Sequence, residues 1–141
     1  MEFLSPLDID GVTIAELALR GIAFEQRPDA DVLLQLETGL PGARTREPLI
    51  RIDWKPLSPF HRNLKGSPHL KGLIVYGTHQ HPFEENWLDD AQRMRTSNLP
   101  VAMEITEAVQ TFSEMLVYAK NLFRISDITS IAEPQWEPKL L

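Results

Sequence analysis

The chain has 141 residues, 43% of them hydrophobic and 24% charged, with four histidines, no cysteine and a formal net charge of −6. That size and balance fit one globular domain, residues 1–141, with a single buried core, and they exclude a disordered chain. The missing cysteine excludes disulfides, thiolate metal sites and thiol nucleophiles. The sequence has no apolar run of the ~18 residues that suggest a transmembrane helix. Residues 1–6 lack the basic and apolar regions of a signal peptide. The expectation is a cytoplasmic protein with no membrane contact.

Taken in chain order, residues 12–20 (VTIAELALR) carry Ala and Leu as a helix would. They also suit a strand leaving a turn at Asp10-Gly11, and the strand is the expectation. Residues 22–26 read as a short further strand. Residues 31–38 (DVLLQLET) mix an apolar run with alternation. Residues 49–54 (LIRIDW) alternate cleanly, with Leu49, Arg51 and Asp53 on one face and Ile50, Ile52 and Trp54 on the other. Residues 72–77 (GLIVYG) are rich in β-formers between two glycines; if this strand continues through the histidines, His79 and His81 share a face. From 104 to 123, apolar residues recur at helical spacing, from Ile105 to Phe123. Thr106 is the expected N-cap and Asn121 a terminating residue. The connections are too short for crossover helices, so sequential strands should pair antiparallel. The expected fold class is α+β: a twisted antiparallel sheet with one long C-terminal amphipathic helix packed on one face. Residues 124–141 form a partly extended tail that Trp136 pins back.

All four histidines (His61, His69, His79 and His81) fall within 21 residues, and half of the 14 Lys and Arg residues lie in or just before that stretch. Residues 42–72 hold seven bases (Arg44, Arg46, Arg51, Lys55, Arg62, Lys65 and Lys71) against Glu47 and Asp53, a local charge of +5 against −11 elsewhere. A basic stripe on an acidic body can bind a phosphate locally. Imidazole changes charge near neutral pH in an ordinary environment. In the leading reading, His79 and His81 act as general base and general acid on a phosphodiester, with His61 or Arg62 in support. Arg51, Arg62 and Lys55 bind the phosphate, and Asp53 and Asn63 orient the imidazoles. With an RNA 2′-hydroxyl as nucleophile, no cofactor is needed. A second reading places a divalent transition metal such as zinc on His79, His81, His69 and Glu84. A third is a non-enzymatic partner protein, such as an inhibitor, antitoxin-like or accessory factor, whose acidic surface meets a basic protein. The plain alternative is that these histidines cap loops near Pro59 and Pro82.

The order R-x-D (Arg51–Asp53), H-R-N (His61–Asn63) and G-x-H-x-H (Gly77–His81), followed by a polar segment and a late amphipathic helix, resembles small uncharacterised bacterial proteins. These are found near mobile elements and suspected as toxin components. The resemblance spans roughly residues 49–123 and implies an α+β fold with a ribonuclease-like role. The chain departs from it in its extra His69 and two Pro-bearing turns.

Overall fold

The structure is a computed structural model that describes residues 1–39, 46–96 and 99–137. Arg44, one of the basic residues counted above, lies outside the described residues, as does the end of the tail beyond residue 137. Strand β1 (Glu2–Ile9) turns at Asp10-Gly11 into β2 (Val12–Ile22). Both turn residues have positive φ, 50° and 78°, which a type I′ hairpin requires and which Asp-Gly supplies at little cost. β3 (Val32–Thr38) and β4 (Glu47–Trp54) follow. With β7 (His79–His81) and β8 (Met103–Glu104) they form one antiparallel sheet in the order β1-β2-β3-β4-β7-β8. β5 (Phe60–Arg62) and β6 (Ile74–Tyr76) pair separately as a two-stranded ribbon.

Helix α2 (Phe112–Phe123) supplies Phe112, Met115, Leu116, Ala119 and Phe123 to the main core, against Leu19, Leu34, Ile52 and Trp54 of the sheet. Alternation along β3 and β4 explains which face it covers. Leu34 pairs with Ile52 and Val32 with Trp54, whereas Leu33 pairs with Asp53 and Gln35 with Arg51. One face is therefore apolar, and the other carries the charged pair. A second set of buried side chains lies outside this cluster: Leu70, Val75, Met94, Leu99, Val101 and Ala102. It belongs to the ribbon, to helix α1 (Phe83–Arg95) and to the segment that leads into β8.

The long C-terminal helix expected from residues 104–123 is not present: α2 has 12 residues and α1 has 13. The apolar spacing before residue 112 serves other structure. Glu104 pairs with His79 in the sheet, and the carbonyl of the buried Val109 accepts a hydrogen bond from Trp54 Nε1 (3.1 Å). The N-cap is Thr111 instead of Thr106. Its side chain accepts from Glu114 N–H, and the Glu114 carboxylate accepts from Thr111 N–H. This is the T-x-x-E capping box. The helix ends beyond Asn121, at Arg124 in the left-handed conformation (φ 57°).

α1 stands where only a polar segment was expected. It carries Glu84 and Glu85 in its first turn and Arg93 and Arg95 in its last, which suits the helix dipole. Asp90 breaks it (φ −164°) and re-caps the second part by accepting from Gln92 N–H and Arg93 N–H. The strand expected at residues 22–26 is not separate: β2 runs to Ile22 and the chain then turns, with Arg27 N–H bonded to Phe24 O. The strand at 72–77 does not continue through the histidines either. β6 ends at Tyr76, Gly77 (φ 66°) reverses the chain, and β7 joins the other sheet.

Candidate metal centre

The ladder between β4 and β7 sets Arg51 opposite His81 and Asp53 opposite His79. In a sheet, opposed residues project to the same side, so an R-x-D on one strand and an H-x-H on its neighbour become a four-residue polar patch. The ribbon then brings His61 to it. Ring centroids are 5.0 Å apart for His61–His81 and His79–His81, and 5.7 Å for His61–His79. His81 is fully buried, His79 is 5% exposed and His61 is partly buried.

Each ring is tied to a protein acceptor through one nitrogen. His61 Nε2–H donates to Pro100 O (2.9 Å), and His79 Nδ1–H donates to Gly77 O (2.7 Å). A carbonyl can only accept, so both tautomers follow. His81 Nε2 lies 2.9 Å from Asp53 Oδ2 and 2.8 Å from Arg51 Nη2. Nε2 cannot both donate to the carboxylate and accept from the guanidinium; with its hydrogen turned to Asp53, the Arg51 contact is no hydrogen bond and His81 Nδ1 is a lone pair. That Nδ1 is buried with no hydrogen-bond partner. In that tautomer set the nitrogens without a main-chain partner are His61 Nδ1, His79 Nε2 and His81 Nδ1, of which His79 Nε2 lies 3.3 Å from Asp53 Oδ2. One ring nitrogen from each of the three histidines can be chosen so that all lie within 4.8 Å of one another. Tetrahedral zinc with nitrogen ligands at ~2.0–2.1 Å asks for about 3.3 Å between ligand atoms.

Asp53 Oδ2 also accepts from Arg51 Nε (3.1 Å) and lies 3.3 Å from His79 Nε2. Burial pushes the Asp53 carboxyl up, but hydrogen bonds from His79 and His81 and the Arg51 charge outweigh it and hold the group well below the usual carboxylate range. Burial pushes His81 down to about 4 against the opposing hydrogen bond to Asp53. His81 is therefore neutral at pH 7, the form in which imidazole ligates metals. The Arg51 cation is matched by Asp53 at 3.1 Å, so it does not face the imidazoles uncompensated.

Other residues singled out in the sequence lie elsewhere. His69 is exposed and bonded to Ser67 Oγ (3.1 Å). Glu84 is exposed on the first turn of α1. Neither joins the cluster, and His61 holds the place expected of His69. Asn63 orients no histidine: its amide donates to Leu70 O and Ala102 O, and its Oδ1 accepts from Ala102 N–H. Arg62 is exposed on the outer side of the ribbon, since His61 occupies the inner side. Lys55 Nζ sits over the Trp54 ring (4.7 Å). Asn86 was not singled out, yet it is buried and binds both N–H and C=O of Val101. Together Asn63, Asn86 and His61 bind main-chain groups of residues 100–102 and so hold the wall of the site. The N-W-L-D-D helix around Asn86 was the missed signal.

Two cavities, of about 580 and 840 Å³, open on other parts of the surface, and neither is lined by a histidine. No helix among the described residues is long and apolar enough to cross a membrane. Compared with known protein families, curated proteins and solved structures, the chain matches none of them.

Proposed function

We propose that the protein binds a divalent transition metal through His61, His79 and His81, with zinc the first candidate. The observation that supports this most is the pattern of second hydrogen bonds. His61 and His79 each give one ring nitrogen to a main-chain carbonyl, and His81 gives Nε2 to the Asp53 carboxylate. Metal-bound histidines are held in this way. Three nitrogen ligands leave a further coordination position, which a water can fill. Asp53 acts as a positioning residue through His81. Bridging β7 and the ribbon, the metal joins two sheets that share no ladder.

Arg51 beside His81 supports a second reading, acid–base cleavage of RNA by the same imidazoles. The burial of His79 and His81 counts against it, because a phosphodiester would reach only His61.

One titration separates the readings. The protein is stripped with chelator and titrated with Zn²⁺ and Co²⁺. The expected results are one metal per chain, a Co²⁺ absorption band of nitrogen-ligand type and a rise in Tm on zinc addition. His61→Ala should abolish all three and His69→Ala none. Absence of stoichiometric metal and of any Tm change would remove the metal reading. RNA cleavage that survives chelator and is lost in His61→Ala would establish the second.

A further inference from the structure

The outer face of the β5–β6 ribbon is a separate feature from the buried centre. Its ladder pairs Phe60 with Tyr76 and Arg62 with Ile74, so these four side chains share a side, while His61 and Val75 point inward. Phe60 is 49% exposed and Tyr76 65%, with ring centroids 6.3 Å apart. An exposed cross-strand aromatic pair of this kind leaves uncovered the surface that such residues normally bury. The ribbon and its connecting loop are cationic in sequence, and the Asp89 carboxylate of α1 touches the loop at Gly66 N–H (2.8 Å). Residues 60–76 contain Arg62, Lys65 and Lys71, all exposed, and no Asp or Glu, in a chain whose net charge is −6.

We propose that this face binds single-stranded nucleic acid, with bases stacked on Phe60 and Tyr76 and phosphates held by Arg62, Lys65 and Lys71. Stacking platforms beside cations that track the backbone are how single strands are bound with little sequence preference. A duplex offers no free base face to the rings. A purely apolar partner would not account for three exposed cations. An acidic peptide would not account for the two rings.

A second exposed aromatic pair acts as an internal comparison. Phe83 and Trp87 on α1 stack at 5.7 Å and are 38% and 41% exposed. They stand among Glu84, Glu85, Asp89 and Asp90, four acids against Arg93, which pairs with Asp89 and Asp90, and Arg95, which lies over the Trp87 ring (5.9 Å). Aromatic exposure alone thus does not define the surface; the sign of the surrounding charge does. The proposal does not rest on the metal centre, because the ribbon's two faces carry the two features separately.

The test is fluorescence anisotropy with labelled 15-mers of single-stranded RNA, single-stranded DNA and the corresponding duplex. Wild type should bind the single strands, with log affinity falling linearly as log salt rises. Preference between RNA and DNA tells whether the 2′-hydroxyl is read. Phe60→Ala with Tyr76→Ala should weaken binding about tenfold or more, and Arg62→Glu with Lys71→Glu should abolish it. Phe83→Ala with Trp87→Ala should leave it unchanged, and circular dichroism checks that each variant is folded. Any of three results would overturn the proposal: no binding of single strands at low salt, equal duplex binding that ignores the Phe60 and Tyr76 substitutions, or displacement by polyglutamate from a variant without the two rings as easily as from wild type.

Discussion

At the scale of single residues, Asp53 balances the cluster. Its Oδ2 is the shared acceptor for Arg51 and His81 and the neighbour of His79. Asp53→Ala leaves a guanidinium and two imidazoles without their common partner, and should cost about 3 kcal/mol in urea unfolding. Asp53→Asn keeps an acceptor oxygen, and should cost less than half as much while still weakening zinc binding about tenfold or more. If the alanine variant unfolds with wild-type stability, the carboxylate is not what organises the rings. Gly77 is the other residue on which the geometry turns. Its φ of 66° lets the chain leave the ribbon for the main sheet, and its carbonyl fixes the His79 tautomer. The place of such a site was legible from residue types alone, because histidines cluster in so few positions. The membership was not. His69 is as near to His79 in sequence as a metal pair needs, but the ribbon's pairing sends His61 inward and leaves His69 in solvent.

Among the elements, α2 shows how a helical apolar stripe can overstate a helix. Ile105 and Val109 fit the stripe, yet the sheet edge and Trp54 claim that stretch first, and the capping box sets the start at Thr111. Thr111→Ala should cost about 1 kcal/mol in thermal or urea unfolding. Glu114 adds a pH dependence. Backbone hydrogen bonds from Gln110 and Thr111 hold its carboxyl below the ordinary value of 4.5. A folded-state value below the unfolded one means that the stabilisation is complete above pH 4.5 and is lost as pH falls below it. Glu114→Gln should therefore remove part of the acid-side slope of stability against pH. An unchanged slope would show that the reciprocal cap is not formed in solution. α1 was missed for the opposite reason. Only Asn86 and Met94 are buried along it, so it has almost no apolar periodicity, and its end charges were the readable signal. The strands of residues 31–38 and 49–54 were legible because alternation separates faces directly.

Across the whole molecule, the main sheet carries the larger apolar core on one face and Arg51, Asp53, His79 and His81 on the other. The main core closes with Trp136, whose ring lies 6.5 Å from Trp54 and 5.8 Å from Phe112. The segment after residue 123 is thereby tied to the centre of the fold, as the tail's tryptophan suggested. Trp136→Ala should lower stability by roughly 3 kcal/mol, measured by urea unfolding. A loss under ~0.5 kcal/mol would mean that the tail contributes little to the core. The sequence by itself determined the antiparallel pairing, through short connections, and the common face of Arg51 and Asp53, through the two-residue period of a strand. It also determined that any imidazole chemistry falls between residues 61 and 81. Only the tertiary structure decided that β7 lies beside β4, that a separate ribbon carries His61 across to them, and that the rings meet under cover instead of in an open cleft. The physical reason is range. Periodicity and turn chemistry act over a few residues, whereas the convergence of residues 51, 61 and 81 depends on which distant surfaces must be buried against each other.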